Sequence, residues 1–226
     1  MQQRRILLGT IAALMSFTLL TGFTHNKIPG LGGLGGGGGG GGGNWTAIAK
    51  DGKEGLSSMA SATAILVKAQ EKLAKALGLK KEAADLRRVA ADLEKCGETC
   101  GAEIDAAAKT AASVQKEINS TLMKSAKLDA ETAAAVGSAG KDMIPALGKI
   151  VKGVSILVKV SSSISSAGQP SPTDLAAVKI ASTIPPLMPK AAQSVPELFA
   201  TANDFRKVAA EKNIAMPEVP AAPGFS

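Results

Sequence analysis

Residues 86–128 read LRRVAADLEKCGETCGAEIDAAAKTAASVQKEINSTLMKSAKL. Steps of alternately four and three residues from Leu86 fall on Ala90, Leu93, Gly97, Cys100, Ile104, Ala107, Ala111, Val114, Ile118, Thr121, Ser125 and Leu128, nearly all of them apolar or small. That spacing gathers one face of a helix and sustains a heptad seam for about six repeats, carried by one long helix or two collinear ones.

Upstream, Leu56, Met59, Ala62, Leu66, Ala69, Leu73 and Leu77 keep the same rhythm. Gly78 follows where a helix end favours a residue free to take positive φ, so a first helix ends there. The connection 78–80 is short, and the next helix is expected to run antiparallel to the first.

Downstream the seam resumes as Val136, Gly140, Met143, Leu147, Ile150, Val154, Leu157, Ser161 and Ile164, with Pro145 predicting a kink or a fresh helix start. Gln169-Pro170-Ser171-Pro172 is a break, after which Ser171, Pro172 and Asp174 read as cap, first turn and capping acid of a short helix. IPPLMP, residues 184–189, is expected to stop that helix because its three prolines lack an amide hydrogen. Ser194-Val195-Pro196-Glu197 repeats the cap signature, and Leu198, Ala202, Phe205 and Ala209 make the buried stripe of a last helix. No convincing internal repeat emerges.

Composition agrees with this pattern. Aromatics are 3% of the 226 residues, with no Tyr and only Trp45, so a core must come from Ala and aliphatic side chains brought close together. The expected fold is all-α, an elongated antiparallel helical bundle with heptad-patterned, Ala-rich helices over residues 44–213. Residues 214–226, ending in PEVPAAPGFS, read as a Pro-rich disordered tail.

The amino terminus reads as an address. Arg4 and Arg5 precede a mostly apolar run from Ile6 to Phe23, the layout of an export signal over residues 1–24. Leu20-Thr21-Gly22-Phe23 resembles the lipobox of bacterial lipoproteins at three of four places. Phe23 stands where that motif has the acylated cysteine, so the resemblance implies no lipid anchor. Gly22 or Thr24 supplies a small residue for signal-peptidase cleavage, although neither completes an A-x-A pattern. An uncleaved membrane anchor is the alternative, since about 18 apolar residues just span a bilayer. Residues 25–43 follow as a Gly-rich flexible linker with nine successive glycines, Gly35 to Gly43, which acts as a spacer or simply as slack from an expanded repeat. The expected location is therefore exported, either periplasmic or secreted, or tethered to the inner membrane by that segment.

The chemistry available is narrow. His25 is the only histidine and precedes the bundle, so the body has no imidazole for general-base catalysis or metal binding. The glycine run carries no lysine and precedes no strand, which excludes a phosphate-cradling loop. The acids are scattered among lysines on helix faces. We therefore expect no enzymatic activity, no catalytic residues, no cofactor and no resident metal.

Two motifs stand out. Cys96 and Cys100 are spaced for one helical face, with α-carbons about 6 Å apart, and export makes a disulfide the expected state. A copper site or a redox dithiol is the competing reading of this pair. The second motif is MIPALGKIVKGVSILVKV, residues 143–160, in which Lys149, Lys152 and Lys159 supply only positive charge, with no acid from Met143 through Thr173. It reads as a core helix with lysines snorkelling to the surface, or as a segment that leaves the bundle and inserts at an anionic membrane. Gly148 and Gly153 both read as sites of close helix approach.

The formal net charge is +7, or +5 without Arg4 and Arg5, but it is interspersed along helices without aromatic interleaving, which argues against nucleic acid as partner. The expected function is a non-enzymatic cell-envelope binding or scaffolding module. Its partner would be another protein or a second copy, met through helix faces. A membrane-active protein using residues 143–160 is the first alternative, and a dithiol redox or copper carrier the second.

Overall fold

The computed structural model describes residues 44–96 and 100–224. The signal or anchor segment 1–24, the glycine linker 25–43 and Gly97 of the seam lie outside the described residues. Five helices follow in order: α1 Trp45–Ala76, α2 Lys80–Lys95, α3 Gly101–Lys124, α4 Ala130–Ala167 and α5 Leu175–Glu211. They pack against one another as an all-α bundle.

Local chemistry sets most of the helix ends. Asn44 caps α1 by accepting the Ala47 amide at 3.2 Å, and Asp129 caps α4 by accepting that of Thr132 at 2.7 Å. α1 ends as its sequence implies. Gly78 takes φ +73°, and the amides of Gly78 and Leu79 turn back onto the carbonyls of Lys75 and Ala74. Gly168 at φ +70° closes α4, and Asn213 at φ 58° follows the end of α5.

Cross-helix contacts give the directions. Glu71 and Lys68 of α1 meet Arg87 and Glu94 of α2, so α2 runs antiparallel to α1. Gly55 faces Leu157 and Gly153 faces Met59, which makes α4 antiparallel as well. Lys116 and Asn119 of α3 reach Glu197 and Thr201 of α5, so those two are parallel. Consecutive helices thus alternate in direction, and α1 touches each of the other four.

The seam of residues 86–128 is not collinear. Glu94 near the end of α2 pairs with Lys68, while Ala111 and Gln115 of α3 bond Gln70, only two residues further along α1. A straight run from 94 to 113 would separate those contacts by about 28 Å. The chain instead reverses direction between α2 and α3, and both halves of the seam, Leu86, Ala90 and Leu93 then Ile104, Ala107, Ala111 and Ile118, are buried. Periodicity records which face is apolar and is blind to a reversal of direction.

Pro145 neither ends nor starts a helix, and α4 passes through it. The cap of α5 is Asp174, which accepts the Ala177 amide at 3.0 Å, rather than Ser171, whose hydroxyl meets Thr173. The two expected short helices are one, with Pro185, Pro186, Pro189 and Pro196 inside it. All five helix-interior prolines are exposed, so the carbonyls deprived of a donor lie on the water side. On the opposite face Ile180, Ile184, Leu187, Ala191, Val195 and Leu198 form one buried stripe whose packing outweighs the lost bonds. Ser194 sits mid-helix and donates back to the Lys190 carbonyl.

Beyond Asn213 the described residues, through Gly224, have no regular structure, yet the first part of this tail is not fully solvated. Ile214, Met216 and Val219 pack on the core, and Met216 covers Gly140.

Two carboxylates tie stability to pH. Burial pushes the Glu71 carboxyl up, but hydrogen bonds and positive charge from Lys75 and Arg87 outweigh it and leave it below its ordinary value. The Thr132 amide holds Asp129 low in the same sense. Both groups bind protons less readily in the folded state. Their stabilisation is complete above the unfolded carboxylate value of about 4 and is lost as pH falls through the lower folded values. The urea midpoint should therefore drop between pH 5 and pH 3, with a shallower drop in Glu71→Gln; equal slopes would show that Glu71 is not a source of it.

Candidate functional site

A groove of about 600 Å³ runs between α3 and α5. Its floor is set by a buried relay: Gln70 of α1 donates to Gln115 at 2.8 Å and to the Ala111 carbonyl at 3.1 Å. Gln115 donates to Asn119 at 2.9 Å, and Asn119 to the Thr201 carbonyl at 3.1 Å. Three parallel helices are locked in one register by these amides, since a shift of any one leaves a buried polar group unpaired.

Above that floor the lining combines apolar and charged groups. Ala200, Val208 and Met123 supply apolar surface, and Met123 is 59% exposed, high for a large aliphatic side chain. Lys116 pairs with Glu197, and Lys207 with Asp204 at 3.1 Å, so four of the charges along the groove are internally neutralised. Glu211 at its end has no hydrogen-bonding or ionic partner among the described residues. Glu197, Asp204 and Glu211 recur at intervals of seven, which places them along one edge of α5. Shape and charge suit an apolar side chain flanked by a basic one on an amphipathic helix.

Comparison of the chain with protein-family models, curated proteins and solved structures yields no match in any of the three.

The structure brings Cys96 and Cys100 together as a disulfide with α-carbons 5.1 Å apart. They do not share a continuous helical face, because Cys96 ends α2 and Cys100 precedes α3. The bridge thus joins the end of α2 to the start of α3, where the seam reverses, and neither sulfur is a thiol in this state. A pocket of about 440 Å³ lies beside Cys96, lined by Asp92, Lys95 and Glu103 among others. Among the described residues no three His, Cys, Asp or Glu side chains are grouped to hold a metal ion.

Lys149, Lys152 and Lys159 are all exposed on α4, which contributes no lining residue to the groove. The apolar residues between them, Met143, Leu147, Ile150, Val154 and Leu157, are buried. No helix among the described residues is long and apolar enough to cross a membrane. Of the two candidate glycines, Gly153 is a close contact, with Met59 and Gly55 against it, whereas a Cβ on Gly148 would meet nothing.

Sequence reasoning missed the α3–α5 groove. The seven-residue spacing of its three acids was visible, but those acids were indistinguishable from any solvated helix face until α3 was placed beside α5.

Proposed function

We propose that this chain is a non-enzymatic, exported cell-envelope protein whose helical bundle is a binding module, and that the α3–α5 groove takes an amphipathic helix from a protein partner or a second copy. The observation that carries this reading is exposed Met123 in a groove whose other charges, Lys116 with Glu197 and Lys207 with Asp204, are paired, with Glu211 unpaired among the described residues. An aliphatic side chain over Met123, Ala200 and Val208 supplies burial, and a basic residue opposite Glu211 supplies orientation. The amino-terminal apolar segment and glycine run give the module its address and its reach.

Insertion of residues 143–160 into a membrane is less favourable. It would strip five buried aliphatic residues from the core, a loss on the order of 10 kcal/mol, comparable to the whole stability of a domain. The dithiol carrier reading first needs a reductant for the Cys96–Cys100 bridge.

The test is a photoreactive amino acid at Met123 in the producing cell, with the same group at exposed Lys81 as control. We expect an ultraviolet-dependent adduct at 123 whose partner peptide is helical and carries Lys or Arg. No adduct beyond that at 81 would refute the groove as the binding site.

A further inference from the structure

Five lysines and one acid occur between Met143 and Pro196: Lys149, Lys152, Lys159, Lys179 and Lys190 against Asp174. Asp174 is engaged in capping α5. All five lysines are exposed, and none has an ionic partner among the described residues, whereas lysines on other surfaces pair, as in Lys68–Glu94 and Lys116–Glu197. Lys190 lies beside Gly101 and Ala102 of α3, and Lys149 is beyond Gly153, which packs on Met59; Lys152, Lys159 and Lys179 are the ones nearest the start of α5.

A second, independent feature lies in the same place. Large exposed hydrophobic side chains are few among the described residues, and two of the three are Leu175 at 69% and Val178 at 37%, in the first turn of α5 beside Lys179. Topology adds a third. Gly52 packs on Ile180 and Ile184, and Gly55 on Leu157, so the start of α5 and the last turns of α4 stand level with the opening of α1. The chain enters the bundle at that end, after the apolar run and the glycines. The opening of α1 itself adds Lys50, Asp51, Lys53 and Glu54, which sum to zero.

We propose that this end of the bundle docks, still folded, on an anionic lipid bilayer: Lys152, Lys159 and Lys179 face the headgroups, and Leu175 and Val178 enter the interface as shallow anchors. Dispersed cations beside an exposed apolar pair fit a lipid surface, because lysines suffice for headgroups and the apolar pair needs an apolar acceptor. A nucleic acid would offer the pair little, and the face has no aromatic or Arg for bases. Docking here leaves the α3–α5 groove free, so it stands or falls separately from the function proposed above.

The test uses the full chain and vesicles of phosphatidylcholine with or without roughly a third phosphatidylglycerol. Each lysine should contribute on the order of fivefold in partitioning at low salt, so Lys152→Gln, Lys159→Gln and Lys179→Gln together should weaken binding to the anionic vesicles by roughly 100-fold. Raising salt to about 0.5 M should abolish the difference. An amino-terminal apolar segment that remained attached would bind lipid by itself, so a local readout is needed. An environment-sensitive dye on Leu175→Cys should shift to the blue on anionic vesicles and not on neutral ones, while the same dye on Met123→Cys stays aqueous. Equal partitioning of the triple variant and the parent, or an unshifted dye at 175, would overturn the proposal. Capture by soluble polyphosphate as strong as by vesicles, with the 175 dye unshifted, would overturn it in favour of a polyanion.

Discussion

Valine at Gly153 should lower the stability of the bundle by about 3 kcal/mol or more, the largest loss expected from any single added side chain. A Cβ at this position would lie 2.5 Å from Met59 Cγ, 3.2 Å from the Met59 amide nitrogen and 3.3 Å from the Gly55 carbonyl oxygen. The Met59 side chain can turn aside, but the backbone of α1 can yield only if the two helices separate along their crossing. Alanine should be milder, at about 2 kcal/mol net, because overlap is partly offset by roughly 1 kcal/mol of helix propensity. Gly148→Ala should have the opposite sign and gain about 1 kcal/mol, since nothing lies within 4 Å of the new methyl. Urea titration followed by circular dichroism measures all three. Equal effects for alanine at 153 and 148 would mean that α1 and α4 do not cross where described.

Gln115→Ala is expected to cost about 3 kcal/mol, from a small cavity together with two stranded amides. Gln70 would keep only the Ala111 carbonyl, and the Asn119 side-chain oxygen would lose its donor, both in sites nearly closed to water. A variant with leucine at 70, 115 and 119 together should be less destabilised than the sum of the three single leucine changes, because no buried polar partner is left unpaired. Strict additivity would show that the relay is three separate contacts and does not set the register of α1, α3 and α5.

These two sites differ in how far the sequence announced them. Gly148 and Gly153 look alike as text, and only the placement of α1 separates an open surface from a backbone contact. Gln70, Gln115 and Asn119 read as ordinary polar residues near a seam. Their importance comes from the parallel alignment of three helices distant in sequence.

Other parts were legible because their causes are local. The apolar faces of α1 to α4 follow from side-chain spacing, and the end of α1 from the freedom of Gly78 to take positive φ. Cys96 and Cys100 pair because four residues of chain hold them within bridging range whether a helix or a turn intervenes. The prolines of α5 were misread for the complementary reason. Proline opposes helix through one missing donor and a clash, a local penalty of about 3 kcal/mol, and that penalty falls when the orphaned carbonyl faces water and the opposite face is packed.

By itself, then, the sequence determined that the body is helical, which faces α1 to α4 and the last turns of α5 bury, and where glycine or paired cysteines shape the chain, since each depends on neighbours a few positions away. Only the tertiary structure decided that the long seam doubles back, that 37 residues with four prolines form one helix, and that α3 and α5 flank a groove. Those outcomes depend on burial between segments tens of residues apart, and hydrophobic burial carries no record in the sequence of which face will meet which.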